Sequence, residues 1–280
     1  MIEIVSGIGR MRDISDGKHA EGITVGLVPT MGAVHEGHLS LVKTAAESSD
    51  FVVVSIFVNP TQFGPNEDFE RYPREIKNDK RIIESAGGHI IFAPEPDEMY
   101  PDGFATYVNV DRLTAPLCGR SRPTHFRGVT TVVAKLFNIV NPHTAFLGQK
   151  DAQQLAVIKR MVRDLDIPVD IIGCPVVREP DGLAMSSRNM YLTDEERKQA
   201  SMLYRSLCRA RELVDSGVTD SKETINTVNG MLSELDLFDV EYVEIVDPEE
   251  LTDVGDSRNG GLLVLAGRFG KTRLIDNILL

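Results

Sequence analysis

The stretch ITVGLVPTMGAVHEGHLSLVKTAAESSDFVVVSIFV, residues 23–58, decides the fold. It reads as strand, loop, helix, strand. Ile23–Val28 is a short apolar run stopped by Pro29. Glu36–Ser49 sets Leu39, Leu41, Val42 and Ala46 among polar residues, as a helix with one buried face does. Phe51–Val58 is β-branched and nearly continuous in its apolar character, and it ends at Asn59-Pro60. Strands with this composition are buried on both faces, which favours a parallel sheet.

Outward from this unit the alternation continues. A helix is expected over Arg74–Ala86, closed by Gly87-Gly88. Then come a strand at His89–Ala93, a helix at Gly128–Val140 and a strand at Thr144–Leu147. An amphipathic helix at Asp151–Leu165 and a strand at Pro168–Cys174 complete the series. The pattern predicts an α/β domain, a doubly wound Rossmann-like parallel sheet, over residues 1–176. Beyond it the grammar changes to two helices, Asp194–Ser216 and Ser221–Glu234. Three strands follow, at Val240–Val246, Gly261–Ala266 and Thr272–Ile278. Residues 177–280 are expected to form a smaller α+β domain, antiparallel where a short Gly-containing connection joins the last two strands. The boundary is placed at Val176–Arg178, just before the turn-like Glu179-Pro-Asp-Gly182. Two domains also suit 280 residues at roughly 150 per domain.

The net charge is −12, which argues against broad affinity for a nucleic-acid backbone. Residues 1–175 hold 18 basic and 22 acidic side chains, and the remainder 12 and 20. All six histidines lie in the first part, so histidine chemistry belongs there. Cys118, Cys174 and Cys208 are scattered and form no C-x-x-C pair, so a reducing, cytoplasmic setting without disulfides is expected. The first residues show no basic segment leading into an apolar one, and no apolar run approaches the roughly 20 residues of a membrane helix.

Pro29-Thr-Met-Gly-Ala-Val-His-Glu-Gly-His38 lies at the carboxyl end of one strand and the start of a helix. Ligands bind at such ends in open α/β sheets, and a helix N-terminus favours an anion. His35 and His38 are three apart and share one helix face, where they could donate to charge developing on a phosphate chain. A zinc site is disfavoured, because the spacing is H-x-x-H rather than H-E-x-x-H and no third ligand cluster is evident. Capping or packing is the plain structural alternative for the two rings.

Asn59 and Gln62 in Phe57–Gly64 again follow a buried strand, and suit a hydroxylated substrate. Arg120, Arg122, His125 and Arg127 form the clearest basic patch, placed before a helix where it could hold phosphates. Gly148-Gln-Lys-Asp151 sits between strand and helix, with Gln153-Gln154 one turn further. Lys150 offers a point charge to a phosphate, and Asp151 a helix cap or a hydroxyl or metal partner. Met185-Ser-Ser-Arg188 can grip a phosphate chain. An Asn-Pro turn with a solvated Gln, a mobile basic loop and a simple helix start with an N-cap Asp remain open for the first three of these strings taken alone, and the fourth by itself is a weak signal.

H-x-G-H after a first strand, with a later M-S-S-R string, resembles the nucleotidyl-transferase superfamily that includes class I aminoacyl-tRNA synthetases. The likeness is closer to one family. PTMGAVHEGH at 29–38, FVNPTQFG at 57–64, EDFERYPR at 67–74, RPTHFRGV at 122–129, GQKDAQQ at 148–154 and REPDGLAMSSRN at 178–189 together resemble the pantoate–β-alanine ligases. The resemblance implies adenylation of (R)-pantoate by Mg-ATP, then attack by β-alanine on pantoyl adenylate, giving pantothenate and AMP. It assigns ATP contacts to Pro29, Thr30, Met31, Gly32, Ala33, Val34, His35, Glu36, Gly37 and His38. Further ATP contacts fall to Gly148, Gln149, Lys150, Asp151, Val177, Met185, Ser186, Ser187 and Arg188. The catalytic set it implies is His38, as proton donor, with His35, Lys150 and Arg188. Gln62 and Gln154 would bracket pantoate with Asn59 and Tyr72 nearby, Arg122 would serve phosphates or β-alanine, and Asp151 would stand beside Mg2+. It also implies a homodimer in which the second domain closes as a lid, with no nucleic-acid or membrane partner. A simple adenylyltransferase and a non-catalytic nucleotide sensor are the alternatives.

Overall fold

The computed structural model describes residues 2–65, 67–257 and 260–280. The chain divides into two compact units, residues 1–149 with 157–175, and residues 150–156 with 176–280. Among the described residues no helix is long and apolar enough to cross a membrane.

The first unit is built on six parallel strands: β1 (Glu3–Val5), β2 (Val25–Thr30), β3 (Phe51–Ile56), β4 (Ile90–Phe92), β5 (Thr144–Gly148) and β6 (Asp170–Cys174). Their order is β1-β4-β3-β2-β5-β6, and every pairing is parallel. Helices α1 (Ile8–Ala20), α2 (Glu36–Ser48), α3 (Ile76–Ser85), α4 (Pro96–Met99), α5 (Cys118–Ser121), α6 (His125–Val140) and α7 (Ala152–Asp164) connect them. Helix α2 covers β2, β3 and β5, while α1 and α6 pack on each other and on β2. The doubly wound arrangement expected from the alternation is present.

Period-two alternation explains the layering. Val52 and Val54 of β3 join Val28, Ile91 and Phe146 in one apolar layer with Leu41, Val42 and Ala45 of α2. The buried face of α2 takes Ala45 rather than Ala46, because four residues beyond Leu41 returns to the same face. Helix α3 ends as expected, with the Gly88 N–H on the Ile83 carbonyl at 3.0 Å.

The expected end of β2 is corrected. Strand β2 does not stop at Pro29; it runs to Thr30 beside β3, and its pairing with β5 has already ended at Leu27. The missing proline N–H therefore removes no bond on the β5 side. Strand β1 and helix α1 were not expected. Helix α1 buries only Met11 and Ser15, so its apolar periodicity is too sparse to read.

The second unit holds helices α8 (Asp194–Asp215) and α9 (Ser221–Ser233), and strands β7 (Phe238–Val246), β8 (Leu262–Phe269) and β9 (Thr272–Leu279). The strands form an antiparallel sheet in chain order, as the short last connection required. A capping box starts α8: Glu196 N–H donates to Thr193 Oγ1 at 3.3 Å, and Thr193 N–H to Glu196 Oε2 at 2.8 Å. Leu203, Leu207, Val228, Leu232, Ile245, Leu263 and Leu265 share its core.

Candidate active site

The strand order places a switch point between β2 and β5. The chain leaves β2 through α2 toward β3 on one side, whereas β5 flanks β2 on the other. The crevice outside such carboxyl ends is where open α/β sheets bind ligands. Thr30 to His38 leaves one side of it, and Gly148-Gln149 the other.

Several bonds shape the first loop. The Thr30 hydroxyl donates to the Ser55 carbonyl (2.7 Å) and accepts from Gly32 N–H (3.1 Å). Gly32 has φ +85°, and a Cβ there would meet Ile56 at 3.0 Å and Asp79 at 3.1 Å. Ala33 follows at φ +50°, a left-handed conformation that costs a non-glycine residue about 1–2 kcal/mol. Asp79 of α3 holds that turn: Oδ2 accepts from Ala33 N–H (3.1 Å) and Oδ1 from Val34 N–H (2.9 Å). Asp79 is only 1% exposed, and burial raises its carboxyl above the usual aspartate range despite the two donors. Sequence reasoning missed it. In Ile-Lys-Asn-Asp-Lys-Arg it reads as one more surface charge.

His35 caps α2, its Nδ1 accepting from Gly37 N–H at 3.1 Å. His38 accepts the His35 N–H on its own Nδ1 at 3.4 Å. The rings lie 4.1 Å apart, centroid to centroid. Both Nδ1 atoms serve as acceptors, so the proton of each neutral ring is on Nε2. Capping through Nδ1 is compatible with a donor role at Nε2. The cap fixes two Nε2–H donors at a helix N-terminus.

Gln62 stands beside this loop, its Nε2 donating to Met31 Sδ at 3.1 Å. Asn59 orients it. Asn59 Nδ2 donates to Gln62 Oε1 and to the Gly128 carbonyl, both at 3.1 Å. Its Oδ1 accepts from the Thr61 hydroxyl (2.9 Å) and from Tyr100 (2.8 Å). Asn59 is buried with both side-chain atoms engaged, so it works behind Gln62. Gly128 admits this approach, since a Cβ there would sit 2.4 Å from the Thr61 carbonyl oxygen. Tyr100 had no sequence signal.

Arg122, His125 and Arg127 of the basic patch each have protein partners. Arg122 is clamped by Glu67, Nε to Oε1 at 2.6 Å and Nη2 to Oε2 at 2.5 Å. Burial opposes the Glu67 charge, yet the guanidinium beside it holds the carboxyl below the usual glutamate range. Arg122 Nη2 and His125 Nδ1 both meet the Gln62 carbonyl, at 3.2 and 2.9 Å. Arg127 instead lies over the Tyr107 ring at 4.6 Å. Glu67 and the Gln62 carbonyl thus share Arg122, the same carbonyl meets His125, and the Tyr107 ring takes Arg127. Tyr72 is buried, its ring edge-on to Phe63.

The family model for pantoate–β-alanine ligase matches residues 3–279. The chain belongs to the pantoate–β-alanine ligase family. It is 53% identical over 278 residues to a pantothenate synthetase of Acetivibrio thermocellus, covering 99% of each chain. The identity is also 53% to that of Thermotoga neapolitana, over the whole of both chains. A solved Thermus thermophilus pantothenate synthetase superposes with TM-score 0.94 at 47% identity, covering 99% of each chain. A Francisella tularensis pantoate–β-alanine ligase, solved with β-γ ATP and β-alanine, gives 0.82 at 36%, covering 100% of this chain and 98% of that one. The chain is an enzyme, an ATP-dependent ligase that makes pantothenate.

The rest of the ligase residues expected from sequence lie in the second unit, apart from Gly148 and Gln149, the latter donating to the Gly173 carbonyl at 3.3 Å. Lys150 and Asp151 lead into α7, with Lys150 Nζ 3.9 Å from Asp151 Oδ2. Gln153 is buried and Gln154 half-buried, so Gln154 is the more accessible of the two. Val177 starts a hairpin in which its carbonyl accepts Met185 N–H at 3.0 Å. Ser186 then caps the turn Ser187–Tyr191, its hydroxyl accepting Arg188 N–H at 3.3 Å. Arg197 ties the hairpin down through Glu179 and Asp181, at 2.5 Å each.

Proposed function

We propose that this ligase joins (R)-pantoate to β-alanine in two steps. In the first, a pantoate carboxylate oxygen attacks the α-phosphorus of ATP, forming pantoyl adenylate and releasing diphosphate. In the second, the β-alanine amine attacks the pantoyl carbonyl, the C–O bond to AMP breaks, and the amine loses its extra proton. A carboxylate is a poor acyl donor, and adenylation supplies the leaving group.

The observation that carries this reading is the pair of Nε2–H donors that His35 and His38 hold at the N-terminus of α2. They are suited to charge that appears on the departing diphosphate, so their bonds strengthen at the transition state. Lys150, Ser186, Ser187 and Arg188 supply further cationic and hydroxyl donors to the phosphate chain, and Val177 contacts ATP through its backbone. Gln62 and Gln154 hydrogen-bond pantoate. Asn59, Arg122 and the buried Tyr72 act by keeping the Gln62 segment in place. Magnesium binds proteins through one or two carboxylates plus substrate phosphates. The exposed Asp151 is the carboxylate of this set that would stand beside it, where the ion would neutralise phosphate charge. The homodimer and the cytoplasmic setting are part of the same proposal, and sizing in solution checks the first.

The test is AMP release from ATP and pantoate with and without β-alanine, together with ATP–diphosphate exchange. Exchange with pantoate alone and AMP release that needs β-alanine are the expected results. AMP release indifferent to β-alanine would point to a simple adenylyltransferase and overturn the ligase scheme.

A further inference from the structure

Two adjacent polar residues, Asp276 and Asn277, sit buried in the middle of strand β9, between Ile275 and Ile278. Buried polar groups are costly unless bonded, and apolar residues would serve the sheet at least as well. Their partners are therefore informative. Asn277 Nδ2 donates to the carbonyl of Lys150 at 2.9 Å. Asp276 accepts from Arg178 through both oxygens, Nη1 to Oδ2 at 2.7 Å and Nη2 to Oδ1 at 3.0 Å. Its Oδ1 also accepts the Asn277 N–H at 2.8 Å, which locks the two side-chain systems together.

Arg178 lies in the hairpin that begins at Val177. It pairs across the hairpin with Ala184, donates to the Gly182 carbonyl at 3.1 Å, and lies over the Tyr204 ring at 3.8 Å. The turn Ser187–Tyr191 packs on β9 as well. One strand thus touches both stretches of the second unit that carry phosphate-directed groups. One stretch starts at Lys150, and the other runs from Val177 to Arg188.

We propose that Asp276 and Asn277 are positioning residues of the ligase. Asn277 fixes the backbone at Lys150, and Asp276 fixes, through Arg178, the hairpin that delivers Ser186, Ser187 and Arg188. This rests on the phosphate role given above to Lys150 and to those three residues. Burial raises the Asp276 carboxyl, and the facing cations, Arg178 first and Lys150 after it, oppose that shift.

The experiment is a set of double-mutant cycles on ATP–diphosphate exchange with pantoate, with melting temperature measured alongside. N277L keeps the volume and removes the donor. It is expected to lower kcat/KM for ATP by about tenfold, the scale of a small misplacement, with pantoate KM unchanged. In a K150A background the same substitution should cost nothing further, because its effect passes through Lys150. D276N should still cost activity in K150A but not in R178A. A general structural role would lower all backgrounds alike and shift pantoate KM too, and that result overturns the proposal. Should N277L fail to fold, N277S is read by the same cycle. An impaired K150A beside an additive N277L refutes only the positioning role. An unimpaired K150A refutes the role of Lys150 itself, and the proposal with it.

Discussion

Asp79 gives the sharpest test of how the loop before α2 is held. Its carboxylate accepts from two backbone N–H groups while 1% exposed. D79A would leave both donors buried and unpaired, at about 1–3 kcal/mol each, or roughly 2–6 kcal/mol in all. D79N keeps one acceptor and turns an amide N–H toward the other donor, so it should cost about half as much. For a protein of this size each kcal/mol lowers Tm by roughly 2–4 °C. The cheapest relaxation is local, because Ala33 gives up its positive φ once the carboxylate is gone. Activity should therefore suffer beyond stability, with D79N slowing ATP–diphosphate exchange by about tenfold to a hundredfold. The pH dependence has a defined sign. The Asp79 carboxyl is raised in the native state, so the native protein binds that proton more tightly than the unfolded chain. This group's contribution to stability falls as pH rises from the ordinary aspartate value through the raised one, and D79N removes that slope. A D79N protein with unchanged Tm and unchanged exchange kinetics would refute the clamp.

Other outcomes follow from the same geometry. H38A should lower exchange kcat by about a hundredfold to a thousandfold with little change in ATP binding by calorimetry; a change confined to ATP affinity contradicts its role. Q62A should raise the KM for pantoate and leave that for ATP alone, which steady-state kinetics reads directly. E67Q frees Arg122 from its clamp and should raise pantoate KM in the same direction, though less. Glu67 is held below its usual range, so its contribution to stability is present above the ordinary glutamate value and is lost as pH falls through the depressed one. Acid denaturation of E67Q should lack that component.

The parallel core was legible because Val52, Val53 and Val54 admit few other readings, and because β-branched runs alternated with helical ones. Boundaries drifted where local signals were weak. Pro29 reads as a stop but lies in β2, where one side of the strand no longer needs its N–H. The site was legible where chemistry and local structure coincide, as at His35 and His38. It was not legible where a residue acts across space. Asp79, Tyr100 and Asn277 lie 45, 41 and 127 residues from the partners that give them meaning. The protein partners of the arginine patch were hidden for a related reason. Closeness in sequence says nothing of whether a Glu67 or a Tyr107 will claim each charge first.

The bond from Asn277 to Lys150 spans 127 residues and orders events in time as well as space. Chains emerge from the ribosome N-terminus first, and compact units form as they become complete. The parallel sheet draws on nothing beyond β6, so its histidine loop can be in place while the second unit is still being made. The anchor for Lys150 exists only once β9 has been made. A chain interrupted before β9 holds its two histidines at the helix end and has no strand to hold the lysine. The carbonyl of Lys150 therefore gains this partner only in a chain whose last strand has been made.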